Sequence, residues 1–292
     1  MEDISPRLLD FDQTRIGAEP KDAATIIVLR EDGGRLEVFC VQRHARSAFL
    51  GGAVVFPGGK VDPGDGGEHW AVRTAALPAR IEEFASERAT ARALGVAACR
   101  EALEEGAILP VDGPLPDAEV VGIQREFLAG TPLEACLGRR GLRLDLSALV
   151  PFSRWVTPEA EARRFDARFF LLALPAGQVG RHDDHETTMS FWAAPADVLE
   201  RATRGEIFLA PPTSRALEHL SEVSDLRGAF ALAAQQCLAP ICPRFVAGEP
   251  SYLALPGDPS HEIRERRSAG PTRYVLREGR FISEDPPPPG NP

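Results

Sequence analysis

The chain has 292 residues, 43% of them hydrophobic, enough for one large core or two modest ones. Its 33 Lys and Arg against 43 Asp and Glu leave a formal charge of −10, which argues against sequence-independent binding to a nucleic-acid backbone. No apolar stretch is long enough to span a membrane, no secretory signal opens the chain, and five scattered cysteines with no Cys-x-x-Cys suit a reducing cytosol.

Residues 1–22 are polar and read as a loosely attached lead-in. ATIIVLR (24–30) and LEVFCVQR (36–43) are β-branched and apolar, and they flank the turn EDGGR, so they form a hairpin. AVVFPGG (53–59) is a short strand ending in a Pro-Gly-Gly turn, and KVDPGDGG (60–67) is turn chemistry throughout. Residues 68–84 have no clear period and are expected to form a surface excursion outside the central sheet. From about Glu87 to Glu105 the pattern is helical, with Val96, Cys99 and Leu103 on one face. Two further helices follow at 117–129 and 131–139, then strands at 153–158, 165–175 and 187–194. PADVLERATRG (195–205) opens with Pro and closes with Gly, a helix signature. Helices are also expected at 213–223 and 227–239. After Pro240 the chain is rich in Pro and Gly, with short strands near 251–255, 272–277 and 280–282 and a disordered tail, EDPPPPGNP. This mixture predicts an α+β fold, a mixed sheet with helices packed on it.

The stretch REALEEGAI (100–108) raises the chemical question. Glu101, Glu104 and Glu105 share one arc of the helix, where like charges cost roughly 0.2–0.5 kcal/mol per pair. Two of them also sit at the helix end, where the dipole is unfavourable to anions. A solvated acidic face accounts for such a cluster. So does a divalent-metal site, since hard cations take a few carboxylates together with substrate phosphates.

FPGGKVDPGD (56–65) ahead of that helix bears on the choice. Together the two segments resemble the Nudix box: Gly, five residues, Glu, seven residues, then R-E-U-x-E-E-x-G-U with U bulky and apolar. Gly59 matches the first glycine, and Arg100, Glu101, Glu104, Glu105 and Ile108 match the helical part. Asp65 stands where the family usually has Glu, and Ala107 stands at the second glycine. Gly106 is expected to supply the left-handed residue that ends the helix. Between Asp65 and Arg100 lie 34 residues rather than 7, an insertion of 27. Lengthening a flexible loop that much costs only about 1.4 kcal/mol. A box interrupted in this way resembles the branch of the family containing the peroxisomal coenzyme A diphosphatases of animals. QRHARSAFLGGAVVFPGG (42–59), RRFDARFFLLALP (163–175), ETTMSFWAAP (186–195) and GEIFLAPPT (205–213) extend the likeness over roughly residues 22–225. Ala48 and Leu50 replace the Arg and His usual in the bacterial coenzyme A motif.

The resemblance implies a Nudix-type mixed sheet sandwiched between helices over residues 23–239, an insertion at about 66–88, and a C-terminal extension over 240–292. It implies hydrolysis of a pyrophosphate bond in a nucleoside diphosphate linked to another moiety, with coenzyme A or acyl-coenzyme A as first candidate. Hydrolysis of ADP-ribose, nucleotide sugars or dinucleotides, and non-catalytic nucleotide sensing, are the alternatives. The intact Arg100, Glu101, Glu104 and Glu105 speak against the sensor. Glu101, Glu104 and Glu105, with the Gly59 carbonyl, would hold Mg²⁺ or Mn²⁺, and Arg100 would orient them. Glu186, closing the loop HDDHE, is implied as an extra ligand or general base. Arg43 and Arg46 are candidates to meet a substrate phosphate, and Phe56 to line the substrate site, although most of the aromatic residues should be core. His182 and His185 lack a third ligand at zinc spacing, and no Gly-x-Ser-x-Gly surrounds a serine. The expected partner is a small nucleoside diphosphate, in the cytoplasm, with neither nucleic acid nor membrane; the oligomeric state stays open, a homodimer included.

Overall fold

A computed structural model describes residues 11–12, 17–44, 52–181 and 187–287. The hairpin forms as expected: β1 (Lys21–Asp32) and β2 (Arg35–Arg43) pair antiparallel across Gly33 and Gly34, both at positive φ. That conformation favours glycine and matches the twist of the flanking strands. β3 (Val54–Val55) pairs with β2, and β4 (Gly58–Lys60) folds back on β1. After a short α1 (Trp70–Arg73) comes the long α2 (Arg88–Gly106), then α3 (Asp117–Leu128) and α4 (Leu133–Arg139). β5 (Val150–Val156), β6 (Phe165–Ala173) and β7 (Thr187–Ala193) complete a seven-stranded sheet with the main order β3-β2-β1-β6-β5. β4 joins it through β1 and β7 through β2. The β1–β6 pair is parallel and the other pairs are antiparallel, so the sheet is mixed.

The sheet separates two cores. On one side Ala24, Ile26, Val28 and Phe170 pack against α2, α3 and α4. On the other Ile27, Leu29, Phe169 and Leu171 pack under α5 (Pro195–Thr203), α6 (Pro211–Leu220) and α7 (Leu226–Gln235). The alternation of Ala24, Ile26 and Val28 with Ile27 and Leu29 is the period of two in a strand buried on both faces. The architecture is α+β, a mixed sheet sandwiched between helices.

Several parts differ from the sequence reading. The stretch 68–84 stays outside the central sheet, but it is no surface excursion. Trp70, Ile81 and Phe84 are buried in the first core, with Phe84 edge-on to Phe170 at a centroid distance of 5.3 Å. Their spacing follows neither strand nor helix period, so the pattern hid them. The lead-in is not wholly loose either, because Lys21 and Asp22 begin β1 and the ring of Phe11 stacks on Phe245 at 4.5 Å. The segment after 240 forms a second sheet of β8 (Arg244–Val246), β9 (Tyr252–Ala254), β10 (Arg273–Arg277) and β11 (Arg280–Glu284), in the order β11-β10-β9-β8. β8 was not foreseen: three residues between Pro243 and the Gly248 turn are too short to show a period. Ile241, Leu253, Leu255 and Tyr274 belong to the second core, so this sheet packs on the domain. The end of the tail, 288–292, lies outside the described residues.

Candidate active site

The site is built where α2 passes beneath β4. Backbone pairing of Gly58 with Thr25 and of Gly59 with Ala24 lays the glycine turn flat on β1. A Cβ at Gly58 would meet the backbone of Ala24 and Thr25, within 2.9 Å of their atoms, so this position admits only glycine. A Cβ at Gly59 would overlap the Glu101 carboxylate. The turn therefore lies directly over the glutamate face of α2.

That closeness sets the glutamate face apart from a solvated acidic surface. Val96, Cys99 and Leu103 are fully buried as expected, yet Glu101 and Glu105 are buried too, at 8% and 2% exposure, and only Glu104 is half-buried. Glu105 accepts a hydrogen bond from Gly58 N at 3.1 Å. Glu101 accepts one from Arg100 Nη1 at 2.5 Å, and Glu104 lies 3.7 Å from the same nitrogen. Burying carboxylates is costly unless they are paired and hydrogen-bonded, and these are engaged from both sides of the turn.

Arg100 is the organiser. Its Nε and Nη2 grip Asp65 at 3.1 and 3.0 Å, a forked pair, and Nη2 also donates to the Lys60 carbonyl at 2.9 Å. Such charge-assisted forks fix direction as well as adding energy. Burial works against the guanidinium charge, but the hydrogen bonds to Asp65 and the charges of Glu101 and Asp65 outweigh it and hold the Arg100 pKa above its ordinary value. Asp65 is itself buried, in a short 3-10 turn over 63–66 where it also accepts from Asp62 N at 2.8 Å. The shorter acid serves here because Arg100 reaches it across the turn. Asp65 was visible in the sequence only as a box position, not as a site residue; its signal was the distance from Gly59.

The end of α2 is also corrected. Gly106 is the last helical residue, and the left-handed position is Ala107, at φ 49° and ψ 44°. Ile108 N donates to Ala102 O at 3.1 Å and Ala107 N to Leu103 O at 3.0 Å, which satisfies the terminal carbonyls. Gly106 is needed for a different reason, since a Cβ there would come within 3.0 Å of the Phe39 ring.

The glycine turn also forms the rim of a pocket of 430 Å³. Arg43 and Phe56 line it, as do Lys60, Trp155, Phe165 and Thr213, which sequence reasoning did not single out. Aromatic residues in apolar strands read as core, and nothing in a linear pattern distinguishes a cavity wall from a core contact. The Nε of Arg43 is shielded from solvent and has no hydrogen-bond partner among the described residues. Arg46 and Glu186 lie outside the described residues, as do His182 and His185. Thr187, the residue after Glu186, opens β7 opposite Arg43.

Among the described residues no three His, Cys, Asp or Glu side chains are already gathered around one point in a metal-binding arrangement. Glu101 accepts from Arg100 and Glu105 from the Gly58 amide. In donor type the set still fits a hard divalent cation: three carboxylates on one helix arc, two of them buried, beneath a glycine turn that a side chain would fill.

Comparison with known proteins agrees with this geometry. The chain belongs to the Nudix hydrolase family: the model of the NUDT19 Nudix domain matches residues 21–220. Chicken acyl-coenzyme A diphosphatase NUDT19 is 29% identical over 274 residues, with 76% of this chain and 72% of that protein covered. The human protein of the same name is 28% identical, covering 64% of this chain and 61% of its own length. A Nudix hydrolase crystal structure from Alicyclobacillus acidocaldarius superimposes with a TM-score of 0.62 at 32% identity, covering 73% of this chain and 96% of that one. No helix among the described residues is long and apolar enough to cross a membrane.

Proposed function

We propose that this Nudix hydrolase cleaves the diphosphate of coenzyme A or an acyl-coenzyme A, releasing adenosine 3′,5′-bisphosphate and a phosphopantetheine. One observation carries the reading: the buried glutamate face of α2 and a deep apolar pocket share the Gly58–Gly59 turn, so a diphosphate over the turn has room beside it for a large second moiety. The chicken, frog and human relatives named acyl-coenzyme A diphosphatase support the substrate class.

In this reading Glu101, Glu104 and Glu105, with the Gly59 carbonyl, hold Mg²⁺ or Mn²⁺. When bound, such a cation offsets phosphate charge and lowers the pKa of a bound water. Arg100 and Asp65 keep the glutamates and the turn in mutual register. Arg43 and Lys60 at the pocket wall supply positive charge to the substrate phosphates. Arg46 and Phe56 serve the same substrate site. Glu186 acts as general base or additional ligand, a role supported by its neighbour Thr187 pairing opposite Arg43. If Glu186 is the base, Glu186→Gln lowers turnover while the metal concentration for half activity stays put; a ligand raises that concentration as well, and unchanged values remove Glu186 from the site. All five cysteines are free thiols, which suits the cytoplasm.

The deciding experiment incubates the protein with coenzyme A, acyl-coenzyme A species, ADP-ribose, nucleotide sugars and dinucleotides, with Mg²⁺ and with Mn²⁺, and reads products by mass. Cleavage of coenzyme A species ahead of the others is expected. Preferential cleavage of ADP-ribose or a nucleotide sugar would move the assignment to that substrate.

A further inference from the structure

The floor of the pocket is the face of the central sheet turned away from α2, and it is unusually bare at its centre. Ala23 on β1 stands in register beside Ala167 on the parallel strand β6, so two methyl groups are all that project there. Phe165 and Phe169, two residues either way along β6, rise on the same face and flank this gap. The result is a trough with an aliphatic floor and aromatic banks. Its roof comes from the start of α6, at Pro211 and Pro212, and from Pro243 and Leu253 of the C-terminal region. Those last two lie beyond residue 220, where the match to the Nudix domain ends. The extension therefore contributes wall to the pocket as well as packing to the core.

The charges are equally uneven. Among the described residues, Arg43, Lys60 and Arg163 line the pocket and no acidic residue does. A pocket with cations and an apolar trough fits an anion that carries an apolar arm. A nucleobase fits less well. Its ring edge needs several donors and acceptors, and apart from the cations the described lining side chains offer the indole N–H of Trp155 and the hydroxyls of Thr25, Thr157 and Thr213, with no amide or carboxylate among them. Desolvating an unsatisfied base edge is costly, whereas desolvating a hydrocarbon chain is favourable.

We infer that this trough binds the S-acyl arm of the substrate, and that the C-terminal sheet, through Pro243 and Leu253, limits the length of chain accepted. The inference rests on acyl-coenzyme A being the substrate. Each buried CH₂ should tighten binding about fourfold until the trough is full.

The test titrates the full-length, metal-free protein with acetyl-, hexanoyl- and decanoyl-pantetheine by calorimetry. These probes lack the diphosphate and the nucleoside, so no turnover is needed. Decanoyl-pantetheine should bind at least tenfold tighter than acetyl-pantetheine. Ala167→Phe, which fills the trough, should abolish that preference. Ala167→Leu, a milder filling that serves if the larger ring disturbs folding, should shift it to the hexanoyl probe. Equal affinity for all three probes in the native protein, or an undiminished decanoyl preference in both variants, would overturn the inference. Its failure is separable from failure of the proposed function. Cleavage of coenzyme A with no chain-length dependence in the titration removes the acyl trough and keeps the activity. Absence of cleavage removes the activity and leaves the trough to be judged by the titration alone.

Discussion

Arg100 connects three parts of the site, gripping Asp65, the Lys60 carbonyl and Glu101 at once. Two substitutions separate chemistry from scaffolding around it. Glu105→Gln keeps an oxygen to accept from Gly58 N and removes one negative charge, so the turn stays in place. Turnover should fall at least about a hundredfold with an unshifted melting temperature, as for loss of a metal ligand or catalytic acid–base group. Wild-type turnover at saturating metal would exclude Glu105 from the site. Gly59→Ala pushes against the flexible end of Glu101 rather than against backbone, so it should leave a folded protein with turnover lowered at least about tenfold. Ala107 tests the helix end. A β-branched side chain at φ 49° is strained, so Ala107→Val should cost about 2–3 kcal/mol in denaturant unfolding, whereas Ala107→Gly should change stability by less than about 1 kcal/mol.

At the scale of elements, the interrupting segment behaves as part of the core. Trp70 Nε1 donates to the Gly64 carbonyl at 2.9 Å, tying α1 to the turn that holds Asp65. Arg80, at φ 59°, donates to the carbonyls of Ala233, Ala234 and Gln236 at the end of α7. A cation there satisfies terminal carbonyls and complements the helix dipole. Phe84→Ala should therefore destabilise by about 3–5 kcal/mol, as for a buried aromatic, measured by chemical denaturation. A loss under about 1 kcal/mol would return the segment to the surface. The insertion is cheap in loop-closure entropy, and its Trp70, Ile81 and Phe84 fill space in the core beside the sheet and α2. The helix α2 itself was readable to within a residue at each end, because Val96, Cys99 and Leu103 recur at helical spacing. Its glutamates were readable as a motif, and their burial was not, since the covering turn is more than 35 residues away in sequence.

For the whole molecule, the C-terminal sheet belongs to the same cooperative unit. Removing it would strip Leu253, Leu255 and Tyr274 from the second core. At roughly 1.5–3 kcal/mol per buried side chain that loss rivals a typical total stability of about 5–15 kcal/mol, so a chain ending near residue 240 should fail to fold cooperatively. Acid should weaken this region in two stages. Burial, aided by Arg215, holds the His219 pKa below its ordinary 6.5 against the pull of the Ala269 carbonyl. The unfolded chain then binds the extra proton, so this contribution is present above pH 6.5 and is lost as pH falls below it. Asp258, fully buried, loses to desolvation less than it gains from Arg273, the Ser260 amide and Thr272, and its pKa sits below 3.8. Its contribution is present above that value and is lost as pH falls through the lowered one. Melting temperatures should thus decline on acidification from about pH 6.5. His219→Gln should flatten the first decline, and an unaltered slope would remove His219 as its cause.

The sequence by itself determined the hairpin, the helix α2, the Gly-turn and glutamate set of the Nudix box, and the α+β class. These rest on local period and on residue types that only one backbone geometry or one chemistry explains. Tertiary structure alone decided the rest. It brought Asp65 to Arg100 across the interruption, turned the acidic face inward, moved the left-handed residue from Gly106 to Ala107, and set Ala23 beside Ala167 to hollow the pocket. Each of these depends on contacts between segments far apart in the chain, and burial, register and cavity shape have no period that a linear pattern can carry.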